Sequence, residues 1–226
     1  MLVIKENCTE HQIIEFKALD LTQCYDQIEQ TFSEIEEKLG DIYMLVNCAG
    51  MAVCSTIEDT AVKDAKFMMD LNYFGTFYSI KYVLPKMKLR KDGIIVLTSS
   101  QAGLLGIYGY GAYSASKFAL RGLAETVQME TKHLGITVTL ALPSDCDTPG
   151  FANEEKTKPK ETKEISSSGG LFKPEDVAKR IVKDALTGSF FSILGLESWI
   201  LSILCCGMSP WKNPFLGLLQ GELFYS

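Results

Sequence analysis

Apolar positions along this chain switch repeatedly between short continuous runs and helical stripes. Tyr43-Met-Leu-Val-Asn47, Gly93-Ile-Ile-Val-Leu-Thr-Ser99 and Ile136-Thr-Val-Thr-Leu-Ala141 are compact apolar runs, the pattern of strands buried on both faces of a parallel sheet. Ile13 to Ala18 predicts one more strand, ending at Asp20. Tyr25, Ile28, Phe32, Ile35 and Leu39 recur at helical spacing over Cys24 to Leu39, and Gly40 stops that helix. A long helical region runs from about Thr60 to Met87, where Pro85 is expected to kink or end it. Tyr113 to His133 predicts another long helix with Gly135 as its cap, and Pro174-Glu-Asp-Val-Ala opens one that ends near Gly188. This alternation predicts an α/β fold with a doubly wound, Rossmann-like parallel sheet over 1–189. An apolar segment follows over 190–226.

Two stretches do not fit that rhythm. Residues 144–173 are polar, with Pro149, Pro159 and a Ser-Ser-Ser-Gly-Gly run, and predict a long loop of the functional kind. Within it Lys156, Lys158, Lys160 and Lys163 interleave with Glu154, Glu155, Glu161 and Glu164, which predicts a solvated face. Phe190 to Gly207 holds Glu197 as its one charge. It reads either as a membrane-associated or interfacial segment, or as an edge strand, Phe190 to Leu194, followed by a short buried helix.

Composition narrows the chemistry. A formal net charge of −6 over 226 residues argues against nucleic acid as a partner. Seven scattered cysteines without a C-x-x-C pair suit a reduced, cytosol-facing chain rather than a disulfide scaffold or a metal site. With His11 and His133 as the only histidines, a histidine triad is not expected. Lys5, Glu6 and Glu10 interrupt any apolar leader after Met1.

The candidate chemistry centres on Tyr113-Ser-Ala-Ser-Lys117. On a helix, four positions of separation stack the phenol and the ammonium on one face. A neighbouring cation favours the phenolate and is expected to lower a pKa that is ordinarily about 10. Such a phenol exchanges protons with a substrate oxygen near neutral pH. Ser99 and Ser100 end the preceding strand, where ligands sit in a doubly wound sheet. Asn72 interrupts a helix that it does not favour, which predicts a bend or polar network there, or an ordinary satisfied polar residue. Asn47-Cys-Ala-Gly50 follows another strand with small residues that let a ligand approach the backbone, or form a plain turn. Pro143 and Thr148 follow the third strand.

Asn47, Ala49, Gly50, Asn72, Ser100, Tyr113 and Lys117, in this order and spacing, resemble the short-chain dehydrogenase/reductase family over about residues 12 to 190. Within that family the chain is similar to the subfamily of 3-ketodihydrosphingosine reductases. The segments that carry this are Leu45 to Ala52, Ser99 to Gly103, Tyr113 to Ala124, Asp145 to Phe151 and Cys206-Gly-Met-Ser-Pro210.

The resemblance implies NADPH as cofactor, a long-chain sphingoid ketone as substrate, Tyr113 as proton donor and Ser100 as hydrogen-bond donor to the carbonyl, with Ser99 as its substitute. It implies that Lys117 lowers the tyrosine pKa and binds the nicotinamide ribose, and that Asn72 holds a water in a proton relay. Cofactor contacts are implied at Asp20 and Leu21 for the adenine, and at Asn47, Ala49, Gly50, Pro143 and Thr148. The resemblance also implies a cytosol-facing place on the endoplasmic-reticulum membrane, and homo-oligomers paired through the helices around 60 to 87 and 113 to 133.

The family pattern T-G-x-x-x-G-x-G, which cradles a pyrophosphate, does not occur in the 226 residues. The glycine-dense stretch Gly103 to Gly111 lies after a later strand and reads as a loop beside the substrate. Two strands and two helices of the family precede Ile13 in its pattern, so the expectation is a form shortened at both ends that binds cofactor poorly or not at all. The alternatives are a reductase of another apolar ketone, of steroid or retinoid type, and a catalytically dead form.

Overall fold

The structure, a computed structural model, describes residues 12–205. Four parallel strands form one sheet in the order β1 (Met44–Asn47), β2 (Gly93–Thr98), β3 (Ile136–Ala141) and β4 (Phe191–Ser192). α1 (Tyr25–Leu39) precedes the sheet. One helical run joins β1 to β2. It comprises α2 (Val62–Met68), a π-helical turn (Met69–Phe74) and α3 (Gly75–Arg90). A 3-10 turn (Gln101–Gly103) and α4 (Gly111–Thr131) lead to β3. α5 (Pro149–Glu154), α6 (Lys160–Ser167) and α7 (Pro174–Leu186) separate β3 from β4, and α8 (Leu196–Leu204) follows.

The apolar runs are two-sided because helices cover both faces of the sheet. In β2, Ile95 and Leu97 pack with Val83, Met87 and Leu120 of α3 and α4, whereas Ile94 and Val96 pack with Val177, Ile181 and Ala185 of α7. Each fully buried side chain of this kind stabilises the fold by roughly 1.5–3 kcal/mol. In register, Asn47 lies opposite Leu97, and Thr98 opposite Ala141. The carboxyl ends of the three long strands therefore open onto one common rim.

Four expectations are corrected. Ile13 to Ala18 forms no strand and pairs with nothing in the sheet; Ile13 and Phe16 are exposed. Among the described residues no strand lies beyond β1, whose Val46 is 41 % exposed; the segment is tied instead to α1, Lys17 to Glu34 and Glu15 to Lys38.

Pro85 does not end its helix, which runs on to Arg90 and closes at Lys91 in the left-handed conformation. Pro85 and Lys81 both lie on the solvent face, so the carbonyl that loses its partner faces water.

The polar stretch 144–173 is not one loop but contains α5 and α6, and Lys158 within it is buried. Residues 190–205 form the short β4 and, after Gly195, the nine-residue α8. That helix is not buried, because Leu196, Trp199, Ile200 and Leu204 are exposed. No helix among the described residues is long and apolar enough to cross a membrane. Cys206 to Pro210 lies outside the described residues.

Candidate active site

A cavity of about 590 Å³ opens at the strand rim. Its walls include Gly50, Thr98, Ser99, Ser100, Tyr113, Lys117, Pro143 and Thr148. Two of these positions follow directly from local packing. The 3-10 turn lies so close to α4 that a Cβ on Gly103 would meet Ser99 Oγ at 2.4 Å and the Lys117 carbonyl oxygen at 2.9 Å. Only glycine allows the two to pack this closely. Ser100 caps that turn, its hydroxyl accepting from the Ala102 N–H at 3.2 Å, and this holds it beside Tyr113.

Behind the cavity a buried polar network fixes α4. The Asn72 side chain sits in the π-helical turn with no exposed surface. Its amide donates to Ser116 Oγ at 2.9 Å, and Ser116 in turn donates to the Tyr113 carbonyl at 2.7 Å. The wider π-turn directs an interior residue out of the helix toward a neighbouring element, a frequent feature of functional sites.

The electrostatics differ from the sequence expectation. Burial pushes the Tyr113 phenol well above its usual range; a hydrogen bond with Ser100 opposes this, and Glu154 and Asp145 add to it. Lys117 does not reverse the shift, because its ammonium donates to the Thr98 carbonyl at 2.9 Å and stands 5.6 Å from the centre of the Tyr113 ring, over the face. Burial instead lowers Lys117 itself to about 8, with the Cys48 thiol acting slightly against it. Near neutral pH the pair is thus a neutral phenol beside a lysine that is still mostly an ammonium.

The predicted residues are not all brought together. Ser99 lines the cavity, but its hydroxyl donates to the Lys117 carbonyl at 2.9 Å, so its proton is committed to α4. Asn47 donates to the Val96 carbonyl at 3.1 Å and binds β1 to β2. Ala49 is exposed on the turn after β1, and a Cβ on its neighbour Gly50 would lie 3.1 Å from Asn72 Oδ1 and 3.3 Å from Lys117 Nζ. Asp20 and Leu21 are outside the cavity. The Asp20 carboxylate accepts from Thr22 and Gln23, and Leu21 packs on the start of α3 at Gly75. Among the described residues no group of His, Cys, Asp and Glu could hold a metal ion.

This arrangement of strand-end serine, tyrosine and lysine agrees with what sequence comparison finds: the family model for short chain dehydrogenase matches residues 2–159. The chain belongs to the short-chain dehydrogenase family. Two curated relatives in that family are similar over nearly the whole chain. A protein named 3-ketodihydrosphingosine reductase from Bos taurus is 48 % identical over 216 residues, 96 % of this chain and 65 % of the relative. One named 3-dehydrosphinganine reductase from Danio rerio is 49 % identical over 93 % of this chain and 64 % of its own length. The chain thus spans a little under two thirds of the length of these relatives. Among solved structures, that of ElxO with NADP bound superposes with a TM-score of 0.67 at 28 % identity, covering 76 % of this chain and 70 % of that one.

One part of this short-chain dehydrogenase's cavity was not legible in its sequence. Tyr110, Asp145 and Glu154 also line it, and Lys158 stands behind them with no exposed side-chain surface. Lys158 Nζ reaches Glu155 at 2.8 Å, Glu154 at 3.0 Å and Asp145 at 3.4 Å. Tyr110 donates to Glu154, and its ring lies 5.2 Å from that of Tyr113. Burial works to lower the Lys158 ammonium, and its carboxylate partners more than reverse this. Glu154 and Glu155 stand at helical i,i+4 and i,i+3 spacing from Lys158, a sequence signal that the surrounding alternation of charges masked.

Proposed function

We propose that this chain is built to reduce a ketone to a secondary alcohol with NADPH, and that the ketone is 3-ketodihydrosphingosine, giving dihydrosphingosine. The observation that carries the reading is the convergence of Ser100, Tyr113 and Lys117 on one cavity at the strand rim. The names of the relatives support the substrate, and the NADP bound to the solved relative ElxO supports the cofactor.

The residues present suit the nicotinamide half of that cofactor. Gly50 brings bare backbone up to Lys117, and Tyr113, Lys117, Pro143 and Thr148 share the same cavity. For the pyrophosphate half the sequence holds no Thr-Gly-x-x-x-Gly-x-Gly turn, so the assignment is confined to the nicotinamide and its ribose.

When bound, the cofactor supplies the hydride. Tyr113 donates its phenolic proton to the oxygen on which negative charge develops, and Ser100 hydrogen-bonds that same oxygen. Lys117, held on the Thr98 carbonyl and over the Tyr113 ring, supplies a positive charge beside the phenol as its proton leaves. Asn72 acts by position. Both ends of its amide are engaged by Met51 and Ser116, so it fixes the β1 turn and α4 rather than holding a water through its side chain.

The exposed apolar residues of α8 support work at a membrane surface, and the endoplasmic-reticulum membrane is the place that the resemblance implies. Exposed Val62, Phe67, Phe118 and Met129 on α2 and α4 support pairing of two copies through those helices.

The test is NADPH oxidation with 3-ketodihydrosphingosine, set beside a fluorescence titration of NADPH alone. Turnover lost in Tyr113→Phe supports the proton donor, and turnover that survives it refutes that role. NADPH binding without turnover of this ketone points to another apolar ketone. No NADPH binding at all identifies a catalytically inactive form.

A further inference from the structure

Asp145 and Glu154 stand on the cavity wall, and their countercharge stands behind them. Their side chains are 22 % and 15 % exposed, whereas Lys158, which bridges them, is fully enclosed and is not part of the wall. A substrate in the cavity therefore meets carboxylates, not the ammonium.

The charges in this cluster do not balance. Asp145, Glu154 and Glu155 face two ammonium groups, Lys158 and Lys163, and Lys163 reaches only Glu155, at 3.7 Å. The other charges on the wall do not supply the missing cation. Lys156 donates to Asn153 Oδ1 at the exposed rim, and Glu197 on the facing α8 adds another carboxylate. Lys117 stands 5.6 Å from the centre of the Tyr113 ring and donates to the Thr98 carbonyl.

What sets these carboxylates apart from a surface ion-pair net is the cavity they share with the Tyr113 hydroxyl. The Tyr110 ring packs on Tyr113, and its hydroxyl donates to Glu154, so the acidic wall and the phenol are joined through one side chain. Both carboxylates act on the phenol through space, raising it. The carboxylate cluster is one positive charge short of balance, and the cavity that it lines also holds the group that donates the proton.

We propose that Asp145 and Glu154 are the specificity-determining residues of this cavity and bind a protonated amine carried next to the ketone of the substrate. The proposal rests on the reductase reading above and deepens it: an α-amino ketone is recognised as a cation, and its neutral amide is not. The bound ammonium has a second effect. Placed between the carboxylates and Tyr113, it offsets the share of the phenol's rise that the carboxylates add to burial, so the substrate assists its own proton donor.

The experiment is calorimetric titration of the full chain with three ligands: a short-chain analogue of dihydrosphingosine, the N-acetyl derivative of that analogue, and the same analogue with hydroxyl in place of the amine. A charge-assisted contact in a sheltered site favours the amine by about tenfold or more over either neutral ligand. That ratio is expected to collapse in Asp145→Asn and in Glu154→Gln, with circular-dichroism melts confirming that both variants fold. The wild-type comparison of amine with hydroxyl stands even if a variant does not fold. Equal binding of all three ligands overturns the amine site and leaves the sphingoid reading standing. A preference that persists in both variants overturns the assignment to these residues. Binding of none of the three overturns the sphingoid reading together with this one.

Discussion

The side-chain amide of Asn72 clasps the main chain of Met51 at both ends, accepting from its N–H at 2.9 Å and donating to its carbonyl at 3.0 Å. One residue in a π-helical turn thereby fixes the turn after β1, and through Ser116 it also fixes the helix that carries Tyr113.

Replacement of Asn72 by alanine leaves both Met51 backbone groups without this partner. Both bonds are only partly buried, so each loss is expected to cost about 1 kcal/mol, the low end for an orphaned group. Asn72→Ala is expected to lower the urea midpoint accordingly, with the m-value unchanged. A midpoint equal to wild type would show that water replaces the clasp freely.

Lys117 gives a pH signature. Its folded value, about 8, lies below the ordinary lysine value of 10.5, so the unfolded chain binds the proton more tightly. The penalty of burying this ammonium is thus fully present below pH 8 and is relieved as pH rises from 8 toward 10.5. It is on the order of 3 kcal/mol. Lys117→Met is expected to be the more stable protein at pH 7, and its advantage should shrink between pH 8 and 10. Denaturation curves of the two proteins across that range check the trend; an advantage that does not change with pH rules out the buried cation as its source.

Removing Lys158 leaves Asp145, Glu154 and Glu155 facing one another. Breaking a buried ionic cluster by deleting one partner costs roughly 3–5 kcal/mol. Burial already holds the Asp145 carboxyl above its usual range, with Glu154 adding to it against Lys158. Without the ammonium the Asp145 carboxyl is raised further and protonates more readily in the folded state. The deficit of Lys158→Met is therefore expected to narrow as pH falls from 7 to 5, as thermal melts at the two pH values would show.

The thiols divide by surroundings. Cys48 and Cys24 are exposed, and Cys48 lines the cavity, whereas burial pushes the Cys54 thiol up to about 12. A maleimide at neutral pH is expected to label Cys24 and Cys48 and spare Cys54, as read by peptide mapping. Labelled protein should lose ligand binding, and Cys48→Ser protein should keep it under the same treatment.

Most of the sheet was legible because its strands are apolar on both sides. Ile136 to Ala141 matches β3 residue for residue, and the Gly93 run matches β2 to within its last residue. Ile13 to Ala18 has the composition of a strand, but a strand exists only where a neighbour completes its hydrogen bonds. The spacing of Tyr113 and Lys117 placed both on one helix. It did not show that the ammonium turns to Thr98, because that depends on where β2 ends in space. Lys158 was hidden for a related reason: a lysine among glutamates reads as solvated unless the fold is known to close over it.

The outer margin of β1 sets a condition on handling the protein. The backbone of Met44–Asn47 is laddered to β2 on one side, and no strand among the described residues lies on the other. Val46 and the adjoining Tyr43 present apolar surface there. Such a margin is a growing end, ready to accept any extended chain that meets it. The solution behaviour of this protein should therefore depend on concentration and on company. Light scattering at two concentrations is expected to show that dependence, and identical scattering per mass at both would rule it out.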